Sequence, residues 1–207
     1  MQINQMSLGP LGTNCYIIYD QKEALIIDPG GEPEKVIDFL DSNKLTPKAI
    51  LLTHAHFDHI GGVDKLRHFY QIAVYLHKLE EKWLSDSALN GSQLFMGHEI
   101  SSTEPDEFLH TGEMNVADFS FHVLHTPGHS PGSVCFVFHH NNFVIGGDVL
   151  FNRGIGRTDL PGGDFSLLEE SIQQKVYKLP DHYVVFPGHG PKTTIGEEKQ
   201  NNPFIQA

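Results

Sequence analysis

Between Thr53 and His59 the chain reads Thr-His-Ala-His-Phe-Asp-His, which places four potential metal ligands within six consecutive positions. Neutral imidazoles and ionised carboxylates are the side chains that hold zinc and similar divalent ions. Alternate residues of an extended segment point the same way, so His54 and His56 can share one ion. Asp58 and His59 lie beyond Phe57, where the chain is expected to turn, and are placed to face a second ion a few Å away. Apolar Leu51-Leu52 precedes the cluster and Gly61-Gly62 follows it. That is the junction of a buried strand with a helix, a favoured location for ligand sites in layered α/β proteins.

Three further segments repeat this arrangement. His125-Thr126-Pro127-Gly128-His129 follows the apolar run 119–124, Gly146-Gly147-Asp148 follows 143–145, and Pro187-Gly188-His189-Gly190 follows 183–186. Each offers a ligand at a strand end, among glycines that let the backbone turn and let an ion or substrate come close. Four such segments, with seven suitable side chains, point to a two-metal centre. Two divalent ions about 3.5–4 Å apart can share a bridging water and present it as hydroxide at neutral pH, which is a hydrolase's nucleophile. Ser133 lacks the GxSxG context that would suggest a serine nucleophile instead.

The elements that must position these residues are legible in part. Short β-rich runs at 15–19 and 24–27 flank the polar turn Gln21-Lys22 and predict a hairpin. Asp28-Pro29-Gly30-Gly31 forces a turn, and Pro33 opens a helix to about Asn43 with Val36, Ile37, Phe39 and Leu40 at helical spacing. A strand at 49–52 flows into the histidine cluster, followed by a helix over 62–70, a strand at 72–76 and a helical turn at 79–84. Residues 85–107, rich in Ser, Gly, Glu and Pro, read as a long irregular excursion of the functional or mobile kind. Strands are expected at 119–124, 133–138, 143–145 and 183–186, with an amphipathic helix over 165–179. This order, strands and helix given twice, suggests two sheets packed between helical layers.

The totals narrow the function. A chain of 207 residues is expected to form one domain, residues 1–207, that buries about 70% of its unfolded surface. With 14 Lys and Arg against 26 Asp and Glu, the net charge of −12 repels nucleic acid and anionic membrane surfaces. Cys15 and Cys135 sit in apolar strand-like runs without CxxC spacing and read as buried free thiols, which fits a cytoplasmic protein. The N-terminus has neither the basic start nor the apolar run of a signal peptide, and no segment approaches the ~20 apolar residues of a membrane span. Of the 14 histidines, His68, His77, His98, His110, His122, His139, His140 and His182 read as surface or structural residues. The segment Asn202-Pro203-Phe204-Ile205 is apolar enough to pack on the domain or on a partner, and a homo-oligomer is open.

In this order THAHFDH, TPGH, GGD and GHG resemble the metallo-β-lactamase superfamily over almost the whole chain. More narrowly, TNCY at 13–16, DPGG at 28–31, GDVLF at 147–151, GRTD at 156–159 and the NPF near the end are similar to the short single-domain glyoxalase II-like hydrolases of bacteria. The resemblance implies an α/β fold, a four-layer αββα sandwich with the metal site at one edge between the two sheets. It implies that His54, His56 and His129 bind one ion, that Asp58, His59 and His189 bind another, and that Asp148 bridges both. Zinc is the first choice of metal, with iron and manganese open. His125 is not among the family's ligands and reads as a turn histidine.

Asp58 would also orient the attacking hydroxide. Asp28, in its Pro-Gly turn, is a candidate to orient a ligand histidine from behind, or else a turn aspartate bonded to its own backbone. Aspartate at 148, where the best-known zinc β-lactamases carry cysteine, disfavours antibiotic hydrolysis. His56, where di-iron oxygen reductases of the superfamily carry glutamate, disfavours that redox chemistry. The resemblance therefore implies hydrolysis of S-2-hydroxyacyl thioesters such as S-lactoylglutathione, a small-molecule substrate, with methylglyoxal detoxification as the setting. Two-domain glyoxalase II enzymes bind glutathione with an additional C-terminal helical domain, whereas this sequence ends soon after His189, so the thiol carrier stays open. Arg153, Arg157 and Lys192 are candidates to meet a substrate carboxylate. A mononuclear iron persulfide dioxygenase and a lactonase are the alternatives on the same fold.

Overall fold

A computed structural model describes residues 1–206. The chain condenses into two compact units, Met1–Leu109 with Val116–Asp118, and His110–Asn115 with the chain from Phe119 onward.

The first unit is built on one six-stranded sheet. Strands β1 (Gln2–Leu8), β2 (Thr13–Tyr19) and β3 (Glu23–Ile27) are antiparallel neighbours. Helix α1 (Pro33–Ser42) then crosses to β4 (Thr46–Leu51), which lies parallel to β3. The short helix α2 (Phe57–Ile60) and α3 (Val63–Tyr70) lead to β5 (Ala73–His77), parallel to β4. A 3-10 turn (Lys78–Leu84), the short helix α4 (Ser92–Met96) and β6 (Glu107–Leu109), parallel to β5, complete the sheet in the order β1-β2-β3-β4-β5-β6. The expected hairpin, α1, α3 and β5 all form within a residue or two of their predicted bounds. Val36 and Leu40 of α1 and Val63 and Leu66 of α3, spaced to share one helix face, pack on Ile26, Ile50 and Val74.

The segment read as an irregular excursion is ordered by polar ties. The buried Asn90 amide donates to the carbonyls of Trp83 (3.1 Å) and Ile100 (2.8 Å), and Ser102 Oγ donates to Asp64 Oδ1 (2.7 Å). Arg67 ties down its far end through Thr103 Oγ1 and the Glu104 carbonyl.

In the second unit come β7 (Gly112–Val116), β8 (Phe119–His125), β9 (Val134–Phe138), β10 (Phe143–Gly147), the two-residue pair β11 (Leu150–Phe151) and β12 (Gly154–Ile155), and helix α5 (Phe165–Gln174). They are followed by β13 (Val184–Pro187), β14 (Thr193–Thr194) and α6 (Ile195–Asn201). The sheet order is β14-β13-β10-β9-β8-β7, with β10 and β13 parallel and the β8-β9-β10 pairs antiparallel. Asp164 caps α5 by accepting from the Leu167 N–H, and Leu168 and Ile172 bury one stripe of the helix against Val137, Val144 and Val185. The helix stops at Gln174 and a 3-10 turn (Val176–Lys178) replaces its expected last turn, because Leu179 must be extended ahead of Pro180. Ile205 is buried in this unit's core, with its carbonyl accepting from Tyr177 Oη (2.9 Å), while Phe204 stays exposed. Both cysteines are buried free thiols. No helix among the described residues is long and apolar enough to cross a membrane.

Candidate metal centre

In the first unit the central parallel strand β4 delivers the ligand segment. After Leu51 the chain leaves the strand, bends at Thr53 and reaches His56 (ψ 148°), the last non-helical residue before α2. Asp58 and His59 therefore fall in the first turn of a helix, as the expected turn after Phe57 requires. All four side chains are buried, His54 and His59 completely. The ring of His54 meets those of His56 and His59 at centroid distances of 4.8 and 4.1 Å. His59 Nε2 lies 3.6 Å from Asp58 Oδ2, too far for a hydrogen bond and close to the separation of two donors around a common ion.

Buried polar groups fix this segment from behind. Asp28, at the end of β3, accepts from the Thr53 N–H (2.8 Å) and Thr53 Oγ1 (2.6 Å), and its Oδ2 lies 3.0 Å from His59 Nδ1. A negative oxygen there favours the tautomer with the proton on Nδ1 and the lone pair on Nε2. Thr13 Oγ1 donates to Asp58 Oδ2 (2.6 Å), and the buried Glu80 accepts from the Ala55 N–H (2.6 Å). Gly30 presses against the same segment: a Cβ there would sit 1.8 Å from the Asp58 carbonyl oxygen. Sequence reasoning missed Thr13, Thr53 and Glu80. Thr13 stands in the TNCY motif and could have been found there; nothing marks Glu80 in the run Lys-Leu-Glu-Glu.

In the second unit the three remaining candidates leave the ends of adjacent elements. The parallel register sets Gly147 of β10 beside Pro187 of β13, so Asp148 and His189 emerge from neighbouring strand ends. His129 comes from the turn between β8 and β9. Its Nδ1 donates to the Arg157 carbonyl (2.8 Å), which again directs Nε2 forward. Asp148 Oδ2 lies 3.6 Å from His129 Nε2 and 3.5 Å from His189 Nε2. One carboxylate oxygen between two imidazole nitrogens, each beyond hydrogen-bond length, is the spacing of ligands gathered for a cation. Gly156 is as indispensable here as Gly30 is in the first unit, since a Cβ would meet the Asp148 carbonyl oxygen at 1.9 Å.

The other candidates fall outside this group. His125 Nε2 bonds the Pro131 carbonyl (2.9 Å) and serves its turn. The Arg157 guanidinium is held bidentately by Asp159 (2.7 and 2.7 Å), which lowers the Asp159 pKa to about 2. Arg153 bonds Glu197 (3.1 Å), and Lys192 lines a 410 Å³ surface depression with Asn152, Thr194 and Glu197.

The family model of the metallo-beta-lactamase superfamily matches residues 8–189, a span that contains all of these donors. The chain belongs to that superfamily and is a metal-dependent hydrolase with the metallo-β-lactamase fold, two mixed sheets with helices and, among the described residues, no closed barrel. Among its relatives, the probable metallo-hydrolase YqgX of Bacillus subtilis is 46% identical over 206 residues, covering 99% of this chain and 98% of its own. The hydroxyacylglutathione hydrolase GloC of Haemophilus influenzae is 40% identical over 210 residues, covering 100% of this chain and 99% of its own. The crystal structure of the B3 metallo-beta-lactamase BLEG-1 superposes with a TM-score of 0.97 at 50% identity, with full coverage of both chains.

Proposed function

We propose that the protein hydrolyses S-2-hydroxyacyl thioesters, S-lactoylglutathione or a related thiol ester, in the manner of glyoxalase II, as a cytoplasmic enzyme working on a small molecule. The observation that carries the reading is the full-length 40% identity to a hydroxyacylglutathione hydrolase, in a chain whose seven donor residues are all present. In this reading His54, His56 and His129 hold one divalent ion, Asp58, His59 and His189 hold a second, and Asp148 serves both. Zinc suits the mixed imidazole and carboxylate donors; iron or manganese would suit them too.

Such a pair of ions, when bound, lowers the pKa of a shared water and polarises a carbonyl oxygen. The chain's own residues do the rest. Asp28 and the Arg157 carbonyl set the tautomers of His59 and His129. Thr13 fixes Asp58 in one orientation, from which that carboxylate holds and aligns the attacking water. The departing thiolate needs little protonation, so no separate general acid is required. Arg153, Arg157 and Lys192 are proposed to meet an acidic thiol carrier, Arg157 by exchanging Asp159 for the substrate carboxylate.

The test is turnover of S-lactoylglutathione by the zinc-loaded protein, with thiol release followed by a disulfide reagent. Saturable turnover that is lost in Asp58→Asn supports the reading, and background rates in the metal-loaded wild type end it. A second reading, β-lactam hydrolysis, is favoured by the 50% identity to a B3 metallo-beta-lactamase. A chromogenic cephalosporin assayed alongside separates the two, as acyl-homoserine lactones and glutathione persulfide do for the lactonase and dioxygenase alternatives.

A further inference from the structure

Three side chains of the second unit that play no part in this chemistry gather beside strand β8, Glu113 and His139 exposed and His122 partly so. The antiparallel register pairs His122 of β8 with Val137 of β9. His139 opens the 3-10 turn that follows β9, and its ring approaches that of His122 to 5.9 Å between centroids. Glu113 comes from β7, the edge neighbour of β8, and its Oε1 lies 3.1 Å from His122 Nδ1. One donor atom from each residue lies within 4.8 Å of the other two.

We infer that Glu113, His122 and His139 form a surface site for one divalent ion of the zinc class, distinct from the centre described above. Two imidazoles and a carboxylate are zinc's own donor set, and water supplies the fourth position at an open site. Bonds of about 2.1 Å in tetrahedral geometry set donors about 3.4 Å apart. The Glu113–His122 contact already has nearly that spacing. Glu113 and His122 have side-chain exposures of 65% and 30%, so small rotamer changes can bring the third donor in.

Support for His139 comes from behind. Its Nδ1 lies 3.1 Å from the hydroxyl of the buried Tyr183, and that hydroxyl also donates to the His139 carbonyl (3.4 Å). A ligand imidazole is ordinarily held in this way, through its second nitrogen. The holder also decides which nitrogen faces outward, here Nε2.

The test uses the metal alone as probe. Zinc-loaded protein, dialysed to remove loosely held ions, is titrated with further zinc in competition with a chromophoric chelator. Wild type takes up one additional ion per chain. The His122→Ala/His139→Ala double variant takes up none, with unchanged thermal unfolding and hydrolytic activity. Tyr183→Phe weakens the additional site about 10- to 100-fold. Uptake of no additional ion by wild type, or equal uptake by wild type and double variant, overturns the inference. Because the readout is the difference between two proteins with the same central ligands, it stands or falls separately from the proposed hydrolytic activity.

Discussion

Replacing Asp28 by asparagine separates a metal-orienting role from a folding role. Asp28 adopts a φ of +50°, which asparagine tolerates and alanine resists, so Asn leaves the turn intact. The Asn carbonyl oxygen can still accept from the Thr53 N–H. The change falls on Oδ2, which accepts from Thr53 Oγ1 at 2.6 Å and faces His59 Nδ1 at 3.0 Å. Exchanging one charge-assisted hydrogen bond for a neutral one lowers stability by about 1–1.5 kcal/mol. For His59 the effect is larger, because an amide N–H facing Nδ1 favours the opposite tautomer and puts the proton on Nε2, the atom needed as a ligand. Loss of such an orienting partner weakens metal binding about 10- to 100-fold, or about 1.4–2.8 kcal/mol at about 1.4 kcal/mol per tenfold. The assay is zinc competition against a chromophoric chelator, starting from the metal-free protein, with thermal unfolding as control. Zinc affinity within about twofold of wild type, together with the expected small loss of stability, would refute the reasoning and leave Asp28 as a turn residue.

Other perturbations follow from the same geometry. Thr13→Val removes the hydroxyl that donates to Asp58 and should lower kcat about 10- to 100-fold, as expected for a charge-assisted bond of about 1.5–3 kcal/mol, with little change in KM. Gly156→Ala drives a methyl into the Asp148 carbonyl and should destabilise the fold by about 1–3 kcal/mol while reducing bound metal, read by unfolding midpoint and elemental analysis. Burial pushes the Cys135 thiol up to about 12 and raises that of Cys15 as well, so neither should react with a disulfide reagent at pH 8 until the protein is denatured. The same burial carries a sign for stability. Between about pH 8.5 and the raised value the unfolded state has lost the Cys135 proton that the folded state keeps. Stability therefore falls with rising pH by up to about 1.4 kcal/mol per unit, and Cys135→Ala should flatten that slope.

The ligand segments were readable in the sequence because strand ends, glycines and imidazoles coincide there, and the runs feeding them are apolar, those of β4 and β10 continuously buried as they near the site. Strand β1 was not readable. Gln2–Leu8 is mostly polar and partly exposed, and it is a strand because it pairs with β2 from Gln2↔Tyr19 to Leu8↔Thr13. The helix at 165–179 was over-extended because its apolar spacing continues past the point where Pro180 constrains Leu179. Supporting groups were the least legible. Glu80 reaches Ala55 across 25 positions, and Arg157 serves His129 through its main-chain carbonyl, whereas the sequence draws the eye to its guanidinium. A backbone acceptor carries no residue-type signature, so only coordinates reveal it.

The central claim is that the donors of both units serve one pair of ions, and anomalous X-ray diffraction from zinc-loaded crystals tests it most directly. The account predicts two strong peaks about 3.5–4 Å apart, one bounded by His54, His56 and His129, the other by Asp58, His59 and His189, with Asp148 touching both. A single peak there, or none, would contradict it.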